Sequence, residues 1–537
     1  MTNVNINCGV LGHVDSGKTS LCRGLHEVAS TASMDKHPQS KERGITLDIG
    51  FSSFRIPGDK VGLTCLEVTL VDCPGHASLI RTVLGASQII DLCILVVDAQ
   101  RVFQTQTAEC LVIAEIVTSR LLIVVNKIDL IPADSREQYL LKLETGIRKT
   151  MSKTRFGGAV TIVPVSATCG LYLERVVSAI SEMVREPPAR DSSGSLHIAF
   201  DHCFTVKGQG TVLTGTVLAG CVKRGQKVYL PESAEVGEVR SLQKFRRPSE
   251  SASQGDRVGL CIPGITPDGQ ERGNICGSPN DIMRCTSMVF LVKKIKYFKG
   301  AMNQRKFHIS IGHHHAMATP YFFRSTSTSV AGANETLNDQ CRPSSLGTGP
   351  LLTDLDAELA TGRSRLEDTA AEFELISEWG VDTDSRAEQM FCWLQFDTPI
   401  KCQPRPLMIA SRLDLDADFP GCRLAFYGRA LAVNEQRLLK QILKTKIKIG
   451  QIDRKHNDGT FIVRGFVKKS KSDVSKYIGL NVTHSKSGIQ GTVDSSFGKS
   501  GLLRVTFASE AQCDPGDELV LKMTKPALSK VIAPNQT

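Results

Sequence analysis

No apolar run in these 537 residues is long enough to cross a bilayer as a helix, and the opening MTNVNINCGV lacks the charged-then-apolar pattern of a secretory signal. Both absences point to a cytosolic protein. The 17 cysteines contain no C-x-x-C pair and lie scattered through apolar segments, so they are expected as reduced, mostly buried thiols, not as a disulfide framework or a zinc site. Acidic residues are scarce at the carboxy-terminal end: residues 429–537 hold 19 Lys+Arg against 9 Asp+Glu, whereas residues 325–388 reverse the balance at 4 against 13. A basic terminal module on a chain of net charge +10 favours nucleic acid as a partner, with a solvated basic surface as the other reading. The length exceeds what one hydrophobic core supports and suggests three to four domains.

What the chain does contain is a phosphate-binding loop. Gly12-His13-Val14-Asp15-Ser16-Gly17-Lys18-Thr19 fills G-x-x-x-x-G-K-[ST] without a mismatch, after a strand-like run Ile6 to Leu11 and before a helical run Thr19 to Val28. Glycines let backbone N–H groups curl around phosphates, and the following helix points its positive end at them. Asp15, Ser16, Gly17, Lys18, Thr19 and Ser20 are therefore candidate nucleotide contacts, with the Thr19 hydroxyl a ligand for Mg²⁺.

Three further motifs follow in order. The polar stretch Ser30 to Arg43 runs into Arg43-Gly44-Ile45-Thr46, where Thr46 can reach a metal and γ-phosphate only when the loop orders. Asp72-Cys73-Pro74-Gly75-His76 ends a buried strand: Asp72 would hold Mg²⁺ through water, Gly75 would swing its N–H onto the γ-phosphate, and His76 would orient the attacking water. In Asn126-Lys127-Ile128-Asp129 the Asp129 carboxylate can accept both guanine N1–H and N2–H, which adenine does not offer, and Ser166-Ala167 fits the loop that meets the guanine oxygen. The ligand pair is thus GTP and GDP with Mg²⁺.

The expected fold class is multidomain: an α/β P-loop G domain over 1–185, a linker through Glu186-Pro187-Pro188, two β-barrels at 196–284 and 285–430, and a basic β-rich domain at 431–537. Residues 325–388 are expected as a mostly disordered acidic insertion with a short helix near Leu366–Trp379, and His313-His314-His315 as a barrel turn in preference to a metal site.

A G domain followed by two barrels resembles the translational elongation factors that carry aminoacyl-tRNA. The runs Asp35 to Asp48, Cys73 to Thr82 and Asp201-His202-Cys203-Phe204, with Gly312-His313, Ser411-Arg412-Leu413-Asp414 and Cys422 to Phe426, closely resemble the eukaryotic selenocysteine-specific elongation factors over nearly the whole chain. The resemblance implies a GTPase that delivers selenocysteyl-tRNA to the ribosome at recoded UGA codons. It also implies coupling through the last domain to the selenocysteine insertion element of the mRNA and its binding protein. A monomer, no membrane partner, and a cytoplasmic location with the nucleus as a second compartment complete the expectation. Val14 and Ile45 resemble the hydrophobic gate around His76, and Asp201, His202 and Arg257 the selenocysteyl pocket. A carrier of ordinary or initiator tRNA, a release-factor GTPase and the regulatory GTPase subunit of a sulfate-activating enzyme remain alternatives at this stage.

Overall fold

The computed structural model describes residues 3–26, 28–29, 50–57, 65–74, 89–185, 188, 190, 192–265, 272–302, 305–326, 351–376, 379, 389–415, 421–457, 459–467, 474–498, 501–507 and 513–528. Their uninterrupted apolar strands dictate the first layer. The strand β1 (Asn3–Leu11) leads through the phosphate loop to α1 (Lys18–Leu25). There follow β2 (Val28–Ala29), β3 (Gly50–Pro57), β4 (Cys65–Asp72), β5 (Leu92–Asp98), α2 (Thr105–Val117), β6 (Leu121–Asn126), α3 (Ala133–Met151), β7 (Thr161–Pro164) and α4 (Leu173–Met183). They form one sheet in the order β2-β3-β4-β1-β5-β6-β7, parallel from β4 to β7. A parallel sheet is covered on both faces, which is why Leu92 to Val97 can be apolar at every position and fully buried. The loops that leave the carboxyl ends of β1, β4 and β6 carry the motifs.

Alternating runs then make a barrel from β8 (His197–Val206), β9 (Gly210–Ala219), β10 (Lys227–Leu230), β11 (Glu235–Glu238), β12 (Ser241–Lys244), β13 (Arg247–Ser249), β14 (Arg257–Ile262) and β15 (Gly273–Cys276). Its order is β11-β10-β15-β8-β9-β14-β12-β13, around a core of Ile198, Phe200, Leu213, Val258, Leu260 and Ile275. A second ring closes from β16 (Met283–Lys294), β17 (Phe307–Ile311), β18 (His314–Ser325), β19 (Met390–Cys402), β20 (Leu407–Ser411) and β21 (Leu424–Val433). Gly312-His313 is the tight turn between β17 and β18, with Gly312 at a φ of +55°, so the three histidines lie on a hairpin as expected.

Within the acidic insertion, residues 351–376 are ordered against the expectation of disorder, while 327–350 and 380–388 lie outside the described residues. Leu351–Glu367 is a helix, α5, and Phe373–Leu375 a strand, so the helix expected near Leu366–Trp379 lies one segment earlier. Composition misled because the carboxylates are neutralised by distant partners: Asp354 Oδ2 lies 2.5 Å from Arg155 Nη2, Asp356 pairs with Arg429, and Glu358 Oε1 sits 2.7 Å from Lys293. Leu355 on the same helix is fully buried. Asp354→Ala is expected to lower stability by no more than about 1 kcal/mol in thermal melts, the scale of a half-exposed ion pair.

The chain forms two compact units, the second comprising Phe322–Ser329, Arg365–Ser377 and Glu435–Thr537. Within it, β22 (Ile442–Asn457), β23 (Thr460–Arg464), β24 (Asn481–His484), β25 (Gln490–Phe497), β26 (Leu502–Phe507) and β27 (Glu518–Pro526) close as a six-stranded ring. Phe373–Leu375 is added parallel to β22. Lys486 Nζ, 2.5 Å from Asp517 Oδ1, leads in holding that carboxyl down to about 2, with the Asp514 amide and His484 contributing. A carboxyl depressed on folding stabilises the fold above its unfolded value of about 3.9 and loses that contribution as pH falls toward the folded value. Asp517→Asn should therefore lower the melting temperature at neutral pH and leave it nearly unchanged near pH 2, which a pH series of thermal melts would check.

Candidate functional site

The loop between β1 and α1 is shaped by two glycines that no other residue could replace. A Cβ on Gly12, at φ +147°, would stand 2.3 Å from the Val96 carbonyl, and one on Gly17, at φ +89°, 2.1 Å from Asn126 Nδ2. That second contact has a purpose: Asn126 Nδ2 donates to the Ser16 carbonyl at 3.0 Å, and its Oδ1 accepts from the Ala167 amide at 2.9 Å. Asn126 thus fastens the phosphate loop to the base loop, and Ser166-Ala167 is brought beside Asn126-Lys127 as expected. Lys127, at φ +67°, is held by Asp98 at 2.8 Å, and Asp129 sits partly exposed in the short turn Ile128–Leu130.

Lys18 is buried, and its Nζ donates to the His13 carbonyl at 2.7 Å. Burial pushes its ammonium below the ordinary range, with the Asp72 carboxylate partly opposing. A cation held at a desolvation cost is a cation suited to a phosphate. Thr19 Oγ1 donates to Asp72 Oδ2 at 2.7 Å, so a hydroxyl and a carboxylate from two loops stand together, a hard-oxygen pair fit for Mg²⁺. Asp15 and Ser20 flank this group, and the Val14 amide donates to Gln106 Oε1 of α2 at 3.4 Å. Ile45, Thr46, Gly75 and His76 lie outside the described residues.

The same helix α2 reaches the second ring. Glu109, three residues after Gln106, accepts from Arg423 Nε at 2.8 Å and Nη2 at 2.7 Å, with both side chains buried. The first barrel is tied in near its own candidate site. Asn5 and Asn7 of β1 donate to the Gly255 carbonyl at 2.6 and 3.0 Å, while Arg190 clasps Asp91 and the Asn5 carbonyl.

Two residues beyond Gly255, Arg257 of β14 meets Asp201 of β8. Nη2 donates to Oδ1 at 2.6 Å and Nη1 donates to Oδ2, and both side chains are buried. Thr214 Oγ1 reaches the same carboxylate at 3.4 Å, and His202 Nε2 stands 3.8 Å from it. The three residues singled out from the sequence are thus together. Two neighbours escaped sequence reading. Phe51 of β3 lays its ring 3.4 Å beneath the Arg257 guanidinium, and a cavity of about 250 Å³ opens beside it, lined by Phe204, Thr214, Gln243, Phe245 and Arg246. No spacing signals either, because Phe51 looks like any strand phenylalanine.

Comparison with known proteins agrees along the chain. Residues 3–186 match the elongation factor Tu GTP-binding domain and 210–277 its domain 2. Residues 289–428 match the third domain of eukaryotic selenocysteine-specific elongation factors, and 438–535 their carboxy-terminal RIFT domain. The selenocysteine-specific elongation factor of Mus musculus is 39% identical over 94% of this chain and 88% of its own length; that of Methanocaldococcus jannaschii is 29% identical over 97% and 98%. The fold matches elongation factor SelB of Methanococcus maripaludis, solved with a GTP analogue, with TM-score 0.74 at 24% identity over 98% of this chain and 99% of that one. With a phosphate loop, a guanine motif and four matched domains in one order, the chain belongs to the selenocysteine-specific elongation factors, GTPases of translation.

Proposed function

We propose that this elongation factor binds selenocysteyl-tRNA in its GTP form, with Arg257 and Asp201 receiving the aminoacyl group, and delivers it to the ribosome at recoded UGA codons. The observation that carries this reading is the buried Arg257–Asp201 pair, floored by Phe51 and set beside a cavity of about 250 Å³. Phe51 belongs to the strand that follows the Arg43-Gly44-Ile45-Thr46 loop, which links nucleotide state to the wall of the pocket.

A selenol is more acidic than a thiol, whose reference pKa is about 8.5, so selenocysteine presents an anion where serine presents a neutral hydroxyl. Arg257 can share its donors between Asp201 and that anion, with His202 at the rim. In the G domain, Thr19, Thr46 and Asp72 would hold Mg²⁺, which when bound neutralises charge on the β- and γ-phosphates. Lys18 and the loop amides of Asp15, Ser16 and Gly17 bind phosphate, Ser20 closes the helix end, and Asp129 reads guanine beside Lys127 and Ser166-Ala167. Val14 and Ile45 form the gate through which His76 turns toward the attacking water on codon recognition. Hydrolysis then frees Gly75 and Thr46 from the γ-phosphate and loosens the grip on tRNA.

The same reading divides the chain into domains at 1–185, 196–284, 285–430 and 431–537. It assigns the last, basic module to the selenocysteine insertion element through its binding protein, and takes the factor as a cytoplasmic monomer. The test is protection of the aminoacyl ester from hydrolysis, with selenocysteyl- and seryl-tRNA on the same tRNA body, under a GTP analogue and under GDP. Protection confined to the selenocysteyl form with the GTP analogue is expected. Equal protection of both would remove the pocket from the reading, and protection of neither would overturn tRNA carriage.

A further inference from the structure

Two of the buried cysteines face each other. Cys285, near the start of β16, and Cys402, the last residue of β19, lie on adjacent antiparallel strands with their sulfurs 3.7 Å apart. They are offset by two positions, Cys285 standing opposite Ile400 and Cys402 opposite Met283. The ladder shifts register between Cys285 and Ser287, so the backbone there is not locked by regular pairing. A disulfide needs about 2.05 Å between sulfurs, an approach that side-chain rotation and a small shift at this irregularity can supply.

Access comes from the other side. Cys402 lines a cavity of about 90 Å³ whose walls include His197, His313, His314, Lys401 and Arg405. A hydroperoxide such as hydrogen peroxide is little larger than water, whose share of liquid volume is about 30 Å³, so the cavity admits it. The cations Lys401 and Arg405 in that wall favour a departing hydroxide, whereas burial keeps the three imidazoles neutral.

We propose that Cys285 and Cys402 are a modification site, a thiol pair that a small hydroperoxide converts to an internal disulfide and a thiol reductant restores. The sulfur-to-sulfur hydrogen bond makes the pair a thiol beside a potential thiolate: the contact lowers Cys285 while Cys402 is raised. Cys285 is thus the sulfur that ionises, giving its proton to solvent, and its thiolate takes the Cys402 proton as the Cys402 sulfur reacts. That sulfur attacks one peroxide oxygen, the O–O bond breaks, and hydroxide leaves and is protonated to water, giving a sulfenic acid. The Cys285 sulfur then attacks Cys402 Sγ, the S–O bond breaks and a second water leaves. In sum, two thiols and one hydrogen peroxide give one disulfide and two waters. The residue next to Cys402, Lys401, donates to the Pro231 carbonyl of the first barrel at 2.7 Å, so the bond forms beside the tie between the two barrels. This proposal rests on the sulfur geometry and the cavity, not on the tRNA reading.

The experiment treats the reduced full-length protein with hydrogen peroxide, alkylates remaining thiols under denaturing conditions, and maps non-reduced peptides by mass spectrometry. The expected result is a peptide joining Cys285 to Cys402, lost on adding dithiothreitol, together with a raised melting temperature because the link closes a long loop. In Cys285→Ser the link should vanish and Cys402 should carry added oxygen instead. Cys402→Ser, which should equally abolish the link, guards against failure of the first variant to fold. Cys169, which is exposed, serves as the internal control. Oxidation of Cys169 while Cys285 and Cys402 are both recovered alkylated would overturn the proposal, as would a link from either to a different cysteine.

Discussion

Replacing Asp129 with Asn is expected to cut GTP affinity by roughly 10²–10⁴-fold and to turn the preference toward xanthosine triphosphate. Two hydrogen bonds from guanine to one carboxylate, each worth about 1.5–3 kcal/mol when an ion takes part, set that range. An amide keeps one acceptor but places a donor against the guanine amino group. Xanthine carries an oxygen at that position and accepts from the new donor. The neighbouring residue of the motif behaves differently, since both ends of the Asn126 amide are committed to Ser16 and Ala167. Asn126 fastens the loops to each other, whereas Asp129 stays partly exposed in its turn. Competition titrations of a fluorescent nucleotide against both triphosphates would check the swap, and unchanged GTP affinity would remove Asp129 from base recognition.

Arg257→Ala is expected to weaken selenocysteyl-tRNA binding by more than about 10²-fold while changing seryl-tRNA binding far less. A buried ion pair that loses one partner costs on the order of 3–5 kcal/mol, because the other charge stays buried alone. Part of that cost would fall on folding, since Asp201 is 5% exposed and would keep only the Thr214 hydroxyl of its three donors. The double substitution Asp201→Asn with Arg257→Gln separates the effects. It removes both charges, leaves amides of similar reach, and should restore the melting temperature without restoring discrimination. Discrimination that survives in the double variant would show that the selenolate is read elsewhere. Phe51→Leu offers a milder case, removing the ring under the guanidinium while keeping an apolar floor, and it should reduce discrimination by less than the loss of Arg257.

The meeting of the phosphate loop with Asp72, Asn126 and Ala167 was legible because its information is local. A phosphate loop is a run of eight residues whose glycines set the backbone and whose lysine and threonine sit where the loop puts them. The order of strand ends then brings Asp72 to Thr19 and Asn126 to Ser16 in any sheet of this topology. The insertion misread in the opposite way. Thirteen acidic residues against four basic ones between 325 and 388 describe a segment that cannot bury itself. Composition does not show that Arg155, Arg429 and Lys293 stand waiting for three carboxylates of one helix. The approach of Cys285 to Cys402 is equally silent, as the two are 117 positions apart and neither belongs to a motif.

By itself the sequence determined that this protein binds a guanine nucleotide on a G domain, carries barrels behind it and ends in a basic module, since contiguous motifs and charge balance encode those properties. The tertiary structure decided that Arg257 is spent on Asp201 over the ring of Phe51, that Glu109 meets Arg423 in the dark, and that the acidic helix is ordered. The reason is physical. A buried charge is stable only against a partner brought by the fold from a distant part of the chain, and no local pattern says which partner that is.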